Sequence, residues 1–586
     1  MIKTIRELIQ NLFPYKKKMV WGISLLIFSV VLEVISPKLL GRVIDELNSS
    51  EGIDLALVFI YAGFIIGIML VRGVTLFYMR YILIGTSRHV EYDMRNRLYK
   101  HMLNLEPNFF HKYKTGDLIS RLSSDFEQVR MIYGPGIMYT ANVVLLTILC
   151  LISMVAIDPI LTLCALIPMI TLTFIIKIIG KKYYERSKQV QEELAKLTTF
   201  VNENLQGVRV LKSYVKEQFA ENNFAKLNKT YIKRNLDLAK LSGFFRPVFI
   251  FIAGVSSIVI MWVGGIRIVE SKTMTIGNLV EFLRYIEILS MPLMAMGWVI
   301  SIFQRGNASY QRIQKIASTE PTISDTDVTE NISDLEGNIN IQNLTFSYDR
   351  SDHPALQNVS FQIKRGEKVA LIGPTGSGKT TMVSLLLRLY EAPPFTIFFD
   401  NIPIKEIPLK TLRAHFGYVP QENFFFPESI FENIHFGNRG TKDMSNVVEV
   451  SKLAFFNDDI ESFPKQYEEV VGEQGITLSG GQKQRLGIAR ALSGKPSIFI
   501  FDDSFSNIDS STEKKILDNL HKDYQDNTVI IVAHRASTIR YVDKIIVLDH
   551  GRLVESGSPD ELVDAKGYYA HLLEHEKLAH DLKEVK

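Results

Sequence analysis

The sequence predicts an α-helical membrane domain of six spans fused ahead of an α/β domain of the P-loop type. Three observations carry that prediction. Six apolar segments, roughly 18–42, 55–84, 133–157, 159–182, 243–270 and 276–304, fill the first half, and a bilayer core takes about 20 apolar residues per helix. Beyond residue 338 the long apolar segments give way to short strand-like runs and helix-compatible stretches, the pattern of an α/β domain. A glycine-rich run, Gly373-Pro374-Thr375-Gly376-Ser377-Gly378-Lys379-Thr380, directly follows the apolar Val369-Ala370-Leu371-Ile372.

At 586 residues the chain has room for several domains, and its net charge of +3 argues against a nucleic-acid partner. The two cysteines, Cys150 and Cys164, both fall inside apolar segments, which argues against a disulfide or metal role. The N-terminus, Met1 to Lys18, is basic and lacks a small-residue cleavage site, so it does not read as a removable signal peptide.

Orientation follows from lysine and arginine. Lys16, Lys17 and Lys18 precede the first span, Arg88, Arg95, Arg97, Lys100, Lys112, Lys114, Arg121 and Arg130 lie between the second and third, and 181–240 is lysine-rich. The link after the first span, Asp45-Glu46-Leu47-Asn48-Ser49-Ser50-Glu51, has few cations nearby. The N-terminus, both long links and the C-terminal half are therefore expected in the cytoplasm. The long links are helix-compatible, so spans two to five should continue beyond the bilayer. Phe109 to Leu118 and Asn202 to Arg209 interrupt the two links. Each is read as a short helix at a hairpin tip that docks on the C-terminal domain, or as a plain hairpin cap.

Charges within spans are costly and often functional. Glu33 and Arg72 fall in the first two spans, and Glu281, Arg284 and Glu287 recur at i, i+3, i+6 in the sixth. That spacing predicts one helix face, either an ion-pair ladder or the lining of a water-filled pathway. Met291, Met294 and Met296, with Trp298, add adaptable apolar surface, suited to loose ligand recognition or to ordinary helix packing.

Residues 305–338 are polar and read as a linker between a membrane domain, 1–304, and a soluble domain, 339–586. Strand-like runs follow at Ile339–Tyr348, Val359–Ile363 and Lys368–Ile372. Tyr348, shortly before the glycine-rich run, is placed to stack on an adenine ring. In the glycine-rich run the backbone N–H groups can turn toward one oxyanion. Lys379 adds charge for the β- and γ-phosphates, Thr380 a hydroxyl for Mg²⁺, and Thr381 follows in the same turn. The helix expected there aims its positive end at the same phosphates.

Ile498-Phe499-Ile500-Phe501-Asp502 reads as a buried strand ending in a carboxylate, the group that holds Mg²⁺ in P-loop proteins. Asp503 follows it. His534 closes the strand-like run Val529–Ala533, and Gln421 follows another short strand, where it is placed to reach the metal or the attacking water. Leu478-Ser479-Gly480-Gly481-Gln482 precedes the helical run Lys483–Leu492, so it is a second anion site by the same dipole argument. One chain already has its phosphate loop, and a second site points to a γ-phosphate held by another copy or partner.

Taken together, these motifs resemble the ATP-binding cassette family, in its exporter form with six spans ahead of one nucleotide-binding domain. The phosphate loop, Gln421, Ser479–Gln482, Asp502, Ser506-Asn507-Ile508-Asp509 and His534 stand in the family's order. Phe109 to Leu118 is similar to the region around the family's first coupling helix. The resemblance implies a type IV exporter fold and two chains facing head to tail. It also implies two ATPs held between one chain's phosphate loop and the other's counterpart of Ser479–Gln482. ATP closes that sandwich, the coupling helices carry closure to the spans, and hydrolysis resets the cavity from outward to inward facing. It implies the cofactors ATP and Mg²⁺, a cell-membrane location and export of amphipathic small molecules, with a lipid flippase as the alternative.

One position departs from the family pattern. The residue after the strand-end aspartate is normally a glutamate that orients the attacking water; here it is Asp503. It is one methylene, about 1.5 Å, shorter. A misplacement of about 1 Å can cost on the order of 100-fold. The site built on Lys379 and Asp502 should therefore bind ATP and hydrolyse it slowly. The intact Ser479–Gln482 should complete a competent site on a partner. This resembles the heterodimeric multidrug exporters, so the expected partner is a second, different half-transporter carrying the glutamate. A slow homodimer is the alternative.

Overall fold

A computed structural model describes residues 2–48, 54–269, 274–325, 332, 334–349, 351, 353–472, 475, 478–533, 539 and 541–575. The chain divides into two compact units, Met1–Met102 with Gly116–Ser318, and Leu103–Thr115 with Thr319–Lys586.

The first unit is helical. Helices Lys16–Leu47, Leu55–Met102, Ile137–Ile157, Pro159–Gln206, Phe245–Val269 and Ile276–Ala317 occupy the six predicted segments. Among the described residues, Arg6–Leu47, Leu55–Met102, Thr115–Ile157 and Ile250–Val269 are long and apolar enough to cross a membrane. Leu55–Met102 and Pro159–Gln206 have 48 residues each, about 72 Å at 1.5 Å per residue. That is more than twice a hydrocarbon core of about 30 Å, so both run beyond the bilayer. The third span is entered earlier than expected, through π-helical turns at Arg121–Asp125 and Ile132–Gly136. Two caps divide the later spans. The Asp158 carboxylate accepts from the Ile160 and Leu161 N–H groups at 2.8 and 2.9 Å ahead of Pro159, and Thr275 forms a capping box with Asn278, each satisfying first-turn donors.

The core of this unit is built on Leu26, Cys150, Met154, Leu161, Ile260, Phe282 and Tyr285. Glu33 and Arg72 pair at 2.6 Å. The expected common face of Glu281, Arg284 and Glu287 is corrected. Glu281 is buried, with the Tyr285 hydroxyl 2.9 Å away and the Val34 carbonyl 3.0 Å beyond that hydroxyl. Arg284 and Glu287 pair with each other in the open. Residues i, i+3 and i+6 spread over about a third of a helical turn, enough to send the first inward and the others out. The side chains of Met291 and Met294 lie outside the described set, while Met296 and Trp298 are exposed. The last helix continues to Ala317 and so takes up the first part of the segment expected as linker. At the second link tip Gly207 ends one helix, and Val208–Ser213 forms a short one with Val210, Tyr214 and Val215 exposed.

The second unit holds two sheets. Strands β1 (Ile339–Phe346), β2 (Leu356–Ile363), β4 (Ile397–Phe399) and β5 (Ile402–Pro403) form an antiparallel sheet in the order β2-β1-β4-β5. Strands β3 (Lys368–Ile372), β6 (Phe416–Val419), β7 (Ile498–Asp502), β8 (Thr528–Val532), β9 (Lys544–Asp549) and β10 (Arg552–Gly557) form the other, in the order β10-β9-β3-β8-β7-β6. All its pairings are parallel except β9 with β10. β3, β7 and β8 are buried along their whole length, as continuous apolar strands of a two-sided sheet must be. Leu103–Thr115 belongs to this unit and carries the short helix Pro107–Lys112.

Candidate functional site

The parallel register gathers the predicted residues at one edge. Leu371 and Asp502 both pair with Val532, and Val419 pairs with Phe501. The carboxyl ends of β3, β7, β8 and β6 therefore lie side by side, the edge where open α/β sheets bind ligands. Gly373 follows β3, Asp502 ends β7, and Gln421 lies two residues past β6. His534, next after Ala533, lies outside the described residues.

The loop after β3 turns tightly into the helix Lys379–Leu386. Gly373 has φ +144, and a Cβ there would come within 1.9 Å of the Leu548 carbonyl oxygen. Gly378 caps the helix at φ +101, in the left-handed region. Both positions demand glycine. Thr375 and Gly376 are exposed at the crest, Pro374 is half-buried, and Ser377 and Thr381 are buried. Lys379 is buried, and its Nζ donates to the carbonyls of Gly373 and Pro374 at 2.9 and 2.8 Å. The ammonium thus lies across the loop that it is expected to share with phosphate. Burial lowers its pKa, against the attraction of Asp502 and Asp503.

Asp502 is 2% exposed and its Oδ2 has no hydrogen-bond partner. Burial and then the neighbouring Asp503 raise its pKa to about 6, while Lys379 and the Thr380 hydroxyl pull it down. An orphaned buried carboxylate oxygen beside a threonine hydroxyl fits a hard divalent cation whose remaining ligands are phosphate oxygens and water. Among the described residues no group of three His, Cys, Asp or Glu forms a metal site. Asp503 has φ +48, a left-handed conformation that aspartate adopts more readily than glutamate. Its N–H donates to the Val532 carbonyl at 3.0 Å. Gln421 is exposed at this edge.

The second anion motif starts its helix earlier than expected. The helix is Gly480–Ser493 rather than a run from Lys483, because Ser479 and Gln482 form a capping box. The Ser479 N–H donates to Gln482 Oε1 at 2.9 Å, and the Gln482 N–H to Ser479 Oγ at 3.3 Å. Gln482 Nε2 donates to Asp459 at 2.9 Å, and Arg485 pairs with the same carboxylate at 2.7 Å. Both ends of the Gln482 amide are thus spent within the chain. Gly480 and Gly481 carry the remaining N–H groups of the first turn, the ones left for an anion. Gln484, which sequence reasoning missed, bonds Ser506 and the Asn507 backbone.

Tyr348 packs edge-on against Phe346 and Tyr390, each with centroids 5.1 Å away, and its hydroxyl lies 3.0 Å from Thr381 Oγ1. It lines a cavity of about 800 Å³ with Phe109, Tyr113, Asp349 and Tyr390. Three hydrogen bonds hold Glu106 and the Pro107–Lys112 segment there. Glu106 accepts from the Thr322 N–H at 2.8 Å and also from its hydroxyl, and Asn108 donates to Asp349 at 2.6 Å. Nothing in the sequence signals that Tyr390 meets Tyr348 or that Phe109 and Tyr113 line the same cavity.

The family model of the ABC transporter transmembrane region matches residues 19–293, and the ABC transporter family model matches 356–506. The chain is 33% identical over 562 residues to a probable multidrug resistance ABC transporter ATP-binding/permease protein, YheI, of Bacillus subtilis, covering 95% of each. It is 31% identical to the multidrug resistance-like ATP-binding protein MdlA of Escherichia coli, over 95% of this chain and 94% of that one. Its fold matches a bacterial Atm1-family ABC exporter solved with ATP bound, at TM-score 0.80 and 24% identity, over 96% of this chain and 98% of that one.

Proposed function

The chain belongs to the ABC transporter family, as an ATP hydrolase coupled to export across a membrane, and we propose that it is the slow-site half of a heterodimeric exporter of amphipathic small molecules. The observation that carries this reading is the pair Asp502–Asp503 in a chain whose Ser479–Gln482 helix start is fully formed. The names of YheI and MdlA, both of the multidrug type, support the substrate class.

In this reading the N–H groups of Gly376 to Thr380 and the Lys379 ammonium receive the β- and γ-phosphates. Lys379 moves from the Gly373 and Pro374 carbonyls to do so. Tyr348 offers its ring to adenine. Thr380, Asp502 and Gln421 are the groups that would hold Mg²⁺, which when bound neutralises charge between phosphate oxygens. Asp503, with His534, positions the attacking water, and the shorter carboxylate holds it too far back. The Gly480 and Gly481 N–H groups close over the partner's γ-phosphate, and closure is driven because ATP binds the closed pair better than the open one. The exposed Val208–Ser213 tip offers an apolar knob for docking on a nucleotide-binding domain.

The test is to purify the chain alone and together with a half-transporter bearing glutamate at the position of Asp503. The pair is expected to hydrolyse ATP much faster than the lone chain and to drive dye efflux from inverted vesicles. Equal rates for the lone chain and the pair would refute the division of labour.

A further inference from the structure

We propose that the cleft between the first two spans, at their cytoplasmic ends, binds the headgroup of an anionic phospholipid. The cleft has a volume of about 380 Å³ and is lined by Lys17, Lys18, Trp21, Tyr81, Gly85 and His89, among others. All of these residues lie in the membrane unit.

The chemistry of the lining is divided. Lys17 and Lys18 are exposed and form no ion pair among the described residues. The neighbouring charges are already engaged. Lys16 lies over the Phe13 ring at 5.1 Å, Glu91 is paired with Arg88 and Arg95, and Asp93 accepts the Tyr15 hydroxyl at 2.7 Å. The His89 ring is stacked on Tyr15 with centroids 5.9 Å apart, which fixes it at the rim. Two ammonium groups thus line a concave space, and among the described residues no carboxylate of the adjoining turns pairs with them.

Below them the walls are aromatic. Trp21 is 68% and Tyr81 72% exposed, and Trp21 lies about 5 Å along the helix from Lys18. Cations above and amphipathic rings below is the order of groups at a cytoplasmic membrane interface. A Cβ built on Gly85 would meet nothing within 4 Å, so the floor is open where a headgroup's glycerol and first methylenes would pass. A free phosphate would use the lysines and leave the aromatic walls idle. A zwitterionic headgroup would bring its own cation to two ammonium groups. An anionic phospholipid of the inner leaflet satisfies both parts of the cleft.

The test is native mass spectrometry of the full chain in micelles titrated with phosphatidylglycerol, phosphatidylcholine or inorganic phosphate. Two juxtamembrane lysines should give a preference for phosphatidylglycerol of about tenfold or more. The preference should vanish in the Lys17→Ala, Lys18→Ala double variant and persist when both are changed to arginine. Equal retention of the two lipids by the unchanged chain overturns the proposal without any variant. So does a double variant that keeps the preference, or millimolar phosphate that displaces the lipid.

Discussion

Gln484 joins the start of the Gly480–Ser493 helix to the loop that carries Asp503. Its Nε2 donates to Ser506 Oγ at 2.9 Å, its Oε1 accepts from the Asn507 N–H at 2.8 Å, and Ser506 Oγ donates in turn to the Asp503 carbonyl at 3.1 Å. In the proposed exporter the two elements serve opposite ATP sites. A buried amide therefore links the surface offered to the partner with the catalytic loop of the chain's own site.

Gln484→Leu strands the Asn507 N–H and removes the amide donor to the Ser506 hydroxyl. The expected cost is about 1–3 kcal/mol of stability, read as a lowered melting temperature of the full chain. ATP turnover of the assembled transporter should fall with it, because the Asp503 loop and the glycine N–H groups lose their common support. A variant with unchanged turnover would show that the link is dispensable.

Glu106 ties the Pro107–Lys112 segment to Thr322. Burial pushes its carboxyl up, but the Thr322 hydroxyl and the Glu106 and Thr322 amides outweigh it, and the net pKa lies below the usual carboxylate value. A depressed folded pKa means that the stabilisation is present above the unfolded pKa and is lost as pH falls through the folded one. Glu106→Ala should lower the melting temperature at pH 7 and make progressively less difference as the pH falls below the usual carboxylate range, in parallel thermal scans. An effect that grew on acidification would reverse the assigned sign.

The Glu33–Arg72 pair joins the first two spans at 2.6 Å. Removing either partner leaves a charge at membrane depth, so each single leucine variant should be harmed more than the double one. A double-mutant cycle on thermal stability in micelles should give a coupling of about 0.5–3 kcal/mol. Additive single effects would mean that the pair contributes only through its separate side chains.

Close approach of the first and last spans gives a steric prediction. A Cβ on Gly277 would fall 2.0 Å from the Gly41 carbonyl oxygen, and the Asp45 carboxylate accepts from the Gly277 N–H at 2.7 Å. Gly277→Ala should cost about 1–3 kcal/mol through overpacking, seen as reduced melting temperature and yield. An unaltered melting temperature would show that the two helices separate freely there.

Motifs that act through the backbone were readable because a few residue types permit them. Gly373 and Gly378 occupy conformations closed to other residues, and the apolar runs of β3, β7 and β8 fit only a sheet covered on both faces. Contacts between distant segments were not readable. Nothing near Tyr285 announces the Val34 carbonyl as its partner, and nothing near Tyr348 announces Tyr390. Local spacing fixes which residues share a helix, but burial of one and exposure of its neighbour depend on the helix packed opposite. The Gly480–Ser493 helix starts ahead of Lys483 for a local reason, because Ser479 and Gln482 form a capping box as well as an anion motif.

ATP turnover of Asp503→Glu against the unchanged chain, each purified alone under the same conditions, tests the reach of that carboxylate most directly. A gain of about 10- to 100-fold is expected, from the restored methylene. Brisk turnover in the unchanged chain, with no gain in the variant, would contradict the slow-site account.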